Sequence, residues 1–168
     1  RPEHLWINLG LCGHSDGQIG QLFRANKLID QASNRSFYPP VLTESHCPLA
    51  TLFTVDQPSS DYPYSGMYDM EATGFYASAL RYSSLELIQV FKVVSDTPAA
   101  PLRRFEKAEV SAWIAGCLED LNVELAGLLE LSREEARRLA DPPSLGAVLE
   151  RWQFSETHKV QLIRLLSR

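Results

Sequence analysis

The sequence predicts an α/β fold, and three observations carry that expectation. Short apolar runs at strand length fill the first half, one strand–helix–strand unit occupies residues 66–94, and the last third has helical periodicity. The length of 168 residues favours one domain with a small appendage.

The elements follow in order. Leu5–Cys12 (LWINLGLC) is an apolar run ending at Gly13, which reads as a buried strand entering a loop. Leu22–Asp30 mixes apolar and basic residues as a second strand. Gln31–Ser45 carries Pro39, Pro40 and polar turn formers and reads as a loop. Leu49–Val55 is a third strand, closed by Asp56 and Pro58. Gln57–Gly66, rich in Pro, Ser and Tyr, reads as a surface excursion suited to a lid. Gly66–Met70 is a short extended approach, and Ala72–Tyr82 has helical spacing with Phe75, Ala79 and Tyr82 on one side. Leu87–Val94 is a fourth strand, ending at Ser95 and Asp96.

Glu106–Leu131 gives the clearest helix. Val110, Trp113, Cys117, Leu121, Leu125 and Leu128 recur at steps of three or four, with Glu119, Asp120, Asn122 and Glu124 assigned to the opposite side. Ser132–Glu135 has capping-box spacing for a further short helix. Asp141 and Pro142 supply an N-cap and a first-turn proline for another, and Phe154–Leu166 closes the chain as an amphipathic helix. The expected division is an α/β domain over 1–130 and a helical extension over 131–168 packed on it.

Composition excludes several classes. A formal net charge of −5 argues against nucleic-acid binding, which draws on clustered Lys and Arg. The Arg pairs at 103–104 and 137–138 are flanked by acids and read as solvated helix faces. No apolar run approaches the roughly 18 residues of a membrane span, so no membrane partner is expected. Three cysteines without a C-x-x-C pair suit free thiols in a reducing, cytoplasmic compartment. His14 and Asp16 have no further ligand at metal spacing, so no metal is expected.

Two places suit chemistry. Asp69, Met70 and Glu71 put two carboxylates at a strand-to-helix junction, and Ser95 and Asp96 end an almost wholly apolar strand. Open α/β sheets bind ligands outside the carboxyl ends of their strands. A partly desolvated acid there can donate a proton, and a second carboxylate can hold hydroxyls or face a developing cation. Each residue also has an ordinary structural role. Asp69 can cap the helix, Glu71 can favour its dipole, and Asp96 can form a turn.

At these residues the sequence resembles the purine nucleoside phosphorylase and methylthioadenosine/S-adenosylhomocysteine nucleosidase superfamily. Ile7–Gly13, with Ile19 and Gly20 after it, is similar to the family's N-x-G-x-A-G strand and loop. Tyr68–Gly74 (YDMEATG) is similar to its V-x-M-E-A segment, and Val93–Asp96 (VVSD) to its Ser-Asp strand end, with Lys92 in place of the family's Arg. The resemblance implies a three-layer α/β/α, nucleoside-phosphorylase-like mixed sheet with a helical C-terminal extension. It also implies a nucleoside phosphorylase or nucleosidase that cleaves the N-glycosidic bond of a nucleoside, with a purine as the expected base, through an oxocarbenium-like transition state. Asp96 would protonate the base, Glu71 would hold the ribose hydroxyls, and Met70 would pack on the sugar. Ser95 would orient Asp96, Cys12 and Gly13 would face the base, and Phe37 or Tyr38 would stack on it. No cofactor is implied beyond inorganic phosphate as a possible co-substrate. The family's amino-terminal third, with its phosphate loop, has no counterpart, so a homo-oligomer or a companion N-terminal chain is expected. Two rival readings stand beside the enzyme: a nucleoside- or nucleobase-binding module without catalysis, and an interaction protein acting through its helical tail.

Overall fold

Nine consecutive buried residues make β6 (Ile88–Asp96) the centre of the structure. The computed structural model describes residues 4–58, 61–138, 140–141 and 143–166. Before β6 come β1 (Trp6–His14), β2 (Leu22–Asp30), β3 (Ser36–Phe37), β4 (Leu49–Thr54), β5 (Met67–Asp69) and α1 (Ala72–Ala79). After it come α2 (Lys107–Gly116), α3 (Leu118–Arg138), α4 (Pro143–Arg151) and α5 (Glu156–Leu166).

The strands form one mixed sheet in the order β3-β2-β4-β5-β1-β6. β6 runs parallel to β1 along its length, and β4 runs parallel to both β2 and β5. The first residues of β2 turn back onto β6, pairing Leu22 with Val93 and Arg24 with Phe91 in antiparallel register. A bulge between Ala25 and Lys27 lets the rest of β2 pair with β4. The sheet therefore curls until β6 meets the first residues of β2, which closes β2-β4-β5-β1-β6 on itself and leaves β3 at an edge.

Helices cover both faces of this sheet, which explains the unbroken burial of β6. On one face Ile88, Val90 and Val94 pack with Leu28, Leu52 and Met67 under Ala72, Tyr76 and Ala79 of α1. On the other, Phe91 and Val93 pack with Leu22 under Cys117, Leu121 and Leu128. Alternate β6 side chains thus serve opposite cores, as the two-residue strand period requires. Each such side chain, fully buried, contributes about 1.5–3 kcal/mol.

The expected long helix is interrupted. Gly116 ends α2, and Cys117 caps it before α3 begins at Leu118. The apolar stripe survives the break, because Trp113, Cys117, Leu121, Leu125 and Leu128 still share one core. No new helix starts at Ser132; α3 runs on to Arg138, laced by Glu130–Arg133 and Glu135–Arg138 pairs. Capping-box spacing has no effect inside a helix already propagating.

Three side chains also differ from expectation. Tyr82 lies beyond α1, exposed and stacked on Trp6, while Tyr76 takes the buried place. Glu124, assigned to the polar side of its helix, is buried against the equally buried Arg24. β1 continues past Cys12, since Gly13 and His14 pair with Tyr68 and Met67 of β5. Pro142, the expected first-turn proline, lies outside the described residues. No described helix is long and apolar enough to cross a membrane.

The chain divides into two units, Arg1–Arg133 and Glu134–Arg168. The second contains the end of α3 followed by α4 and α5, which pack on each other.

Candidate active site

A cavity of about 230 Å³ opens at the carboxyl ends of β1, β5 and β6. Its walls include Cys12 and Gly13 from β1, Asp69, Met70 and Glu71 from the β5–α1 junction, and Ser95 and Asp96 from β6. Three segments far apart in sequence meet because their strands lie side by side.

A bulge aims the β6 residues. Cys12 pairs with Val94 and Gly13 with Asp96, so Ser95 is the extra residue. Bulges bend a strand and redirect its side chains, and here both Ser95 and Asp96 reach the strand end buried. The Ser95 hydroxyl lies 2.6 Å from Asp96 Oδ1 and 3.1 Å from the Cys12 carbonyl. The Tyr62 hydroxyl donates to the other Asp96 oxygen, Oδ2. Burial, with the Asp96 carboxylate next, pushes the Tyr62 phenol up, which keeps it a neutral donor.

Gly13 makes room for this arrangement. A Cβ there would sit 2.5 Å from the Tyr62 hydroxyl and 2.7 Å from Asp96 Oδ2. Both displaced atoms are side-chain tips, so Gly13→Ala should disturb the cavity without unfolding the protein. We expect a melting temperature within about 5 °C of wild type.

The acidic junction separates into two roles. Asp69 is buried and structural: Oδ1 accepts from the Thr54 hydroxyl at 2.9 Å, and Oδ2 accepts the Ala72 N–H at 3.0 Å. Lys92 Nζ lies 2.8 Å from the same Oδ2, with both side chains almost wholly buried. Lys92 is thus the charge partner of the residue that caps α1. Glu71 holds the N-cap position but makes no side-chain capping bond. Asp69 does the capping, and Glu71 is left exposed at the cavity wall beside Met70.

Cys12 is a wall residue. Burial pushes its thiol far up, with Lys92 opposing and Asp69 and Asp96 reinforcing, so a reactive thiolate is disfavoured. His14 faces elsewhere: its Nδ1 accepts N–H groups from Asp16 and Gly17, and its ring stacks on Phe23.

Phe37 does not reach the cavity. β3 pairs with β2, setting Phe37 beside Leu28, and its ring packs on Tyr76. Tyr38 is exposed, with Lys27 over its ring. The aromatic walls are instead Tyr62, Tyr68 and Phe105. Tyr62 comes from the expected surface excursion, of which Ser59 and Ser60 lie outside the described residues. Phe105 stands just before α2, its ring edge-on to Trp113 at 5.2 Å. An aromatic next to a helix start soon after a strand end was its only signal in the sequence.

The mixed sheet with helices on both faces is the nucleoside-phosphorylase-like α/β fold. The MTAN of Chlamydia trachomatis superposes with a TM-score of 0.55 at 19% identity, over 71% of this chain and 65% of that one. Its selenomethionine form gives 0.54 at 18%, over 74% and 64%. The 5′-methylthioadenosine nucleosidase of Arabidopsis thaliana gives 0.49 at 14% identity, over 75% of this chain and 61% of that one. The chain spans just under two thirds of the length of the chlamydial structures. No protein-family model and no curated protein matches the sequence.

Proposed function

We propose that this chain belongs to an enzyme that breaks or forms the N-glycosidic bond of a nucleoside, with a purine as the base. The observation that carries the reading is the meeting of Glu71, Met70, Ser95, Asp96, Cys12 and Gly13 around one cavity. Nothing about their separation in sequence requires it.

In this reading Asp96 protonates the purine at N7 as the bond to the sugar lengthens. Protonating the leaving group lowers the barrier to an oxocarbenium-like ribosyl cation. Glu71, free of a capping bond, accepts hydrogen bonds from the ribose hydroxyls, and Met70 packs on the sugar. Phe105 and Tyr68 offer apolar faces to the base. The fold likeness to an MTAN agrees with this chemistry.

The test is release of free base from a panel of purine and pyrimidine nucleosides, with and without phosphate. Release that needs phosphate identifies a phosphorylase, and release without it a nucleosidase. Tight binding with no release favours a binding module. Glu71→Gln should lower kcat/KM by about 10–100-fold, the scale of a lost hydrogen bond to a charged group. The loss should appear mainly in KM for the nucleoside, with affinity for the free base unchanged.

A further inference from the structure

Asp96 has two oxygens, and both are occupied. Ser95 takes Oδ1 from within β6, next to the Cys12 carbonyl that offers its single hydrogen a second acceptor. Tyr62 takes Oδ2. Ser95 is buried and belongs to the strand, so it stays with Asp96 whatever enters the cavity. Tyr62 is held differently. Among the described residues its hydroxyl bonds to Asp96, and its ring meets one other aromatic ring, that of Tyr68, edge-on at 5.0 Å.

The chain just beyond Tyr62 is fixed. The Tyr64 N–H donates to the Tyr68 hydroxyl, which donates back to the Tyr64 carbonyl, both at 2.9 Å. Gly66 and Ser15 exchange bonds of 3.0 and 3.1 Å. Displacing the phenol from Asp96 therefore needs no change beyond Tyr64. The space that Oδ2 faces is the cavity itself, which Tyr62 and Asp96 both line.

We propose that Tyr62 competes with the base for Asp96 Oδ2, so that a nucleobase binds only by expelling the Tyr62 hydroxyl. This rests on the nucleoside reading above. It makes Tyr62 a specificity-determining residue. A ligand must offer Asp96 Oδ2 a better hydrogen-bond donor than a phenol, as a ring N–H of a free purine base does and an apolar or purely hydroxylic molecule does not.

The experiment measures adenine and hypoxanthine binding by calorimetry in wild type, Tyr62→Phe, Asp96→Ala and the double variant. Tyr62→Phe keeps the ring and its packing and removes only the competitor. Base affinity should rise about tenfold, the size of one relieved hydrogen bond to a carboxylate. The gain should vanish in the Asp96→Ala background, because the contested atom is gone. Unchanged or weaker base binding in Tyr62→Phe overturns the competition, as does an equal gain without Asp96. If neither base binds wild type or Tyr62→Phe, the nucleoside reading fails and this inference fails with it. Binding without the gain overturns the competition alone.

Discussion

On the proposed reading, Asp96→Asn should all but stop release of free base from nucleosides while the protein remains folded. Removing a general acid costs about 10²–10⁴ in rate, so kcat should fall by that factor under the same conditions. Asn keeps the shape of Asp: its one oxygen can accept from one of the Ser95 and Tyr62 hydroxyls and its NH2 can donate to the other, so the strand end should hold. The amide cannot pass a proton to the leaving base. Nucleoside binding, measured by calorimetry, should weaken far less than turnover. A variant that still releases base near the wild-type rate would remove Asp96 from the chemistry. A variant that loses binding and turnover equally would make it a recognition residue.

The second large effect concerns stability. Arg24 and Glu124 form a buried pair, Nη1 to Oε2 at 2.9 Å, with neither side chain exposed. Arg24 also donates to Gln89 Oε1 through Nε and Nη2, and to the Thr43 hydroxyl. Glu124 Oε1 accepts the N–H groups of His46 and Cys47 and the Ser45 hydroxyl. One carboxylate thus ties α3 to β2 and to the loop before β4. Glu124→Ala leaves a buried guanidinium unpaired and should cost about 3–5 kcal/mol in urea denaturation at pH 7. That is a large share of the stability of an ordinary domain. Arg24→Met with Glu124→Leu removes both charges and should recover the part of the loss that comes from the unpaired guanidinium. It should not recover the part that comes from stripping the His46 and Cys47 N–H groups of their acceptor.

The same network sets an acid limit. Burial opposes ionisation of Glu124, but the bonds from Cys47, Ser45 and His46, with Arg24 beside it, hold the carboxyl below its ordinary value of 4.5. A depressed folded value means that the unfolded chain binds the proton more tightly. This contribution is complete above that ordinary value and is lost as pH falls through the depressed one. Glu124→Gln, which cannot ionise, should flatten the stability–pH curve below about pH 5 relative to wild type.

The strands, apart from the two-residue β3 inside the stretch 31–45 that reads as a loop, the strand–helix–strand unit over 66–94 and the apolar stripe of α2 and α3 were legible in the sequence. Each is encoded in neighbours two to four residues apart, a range over which side-chain periodicity reports directly on burial. The acidic junction at 69–71 and the strand end at 95–96 were legible too, because carboxylates beside apolar runs stand out. What the sequence could not separate was Asp69 from Glu71. Their types match, and only the arrival of Lys92 and Thr54 from other strands makes one a cap and leaves the other at the cavity. Phe37 stands away from that cavity for the same reason: register with Leu28 packs it, half-buried, against the core, while Tyr62 and Phe105 reached the cavity from loops that carry no periodic signal. Glu124 was misread because helix spacing records the majority of a face, and its partner lies a hundred residues away in β2. The sequence alone therefore determined the elements and the chemical types available. Tertiary structure decided which side chains meet, because strand register and sheet closure act between segments that local patterning cannot connect.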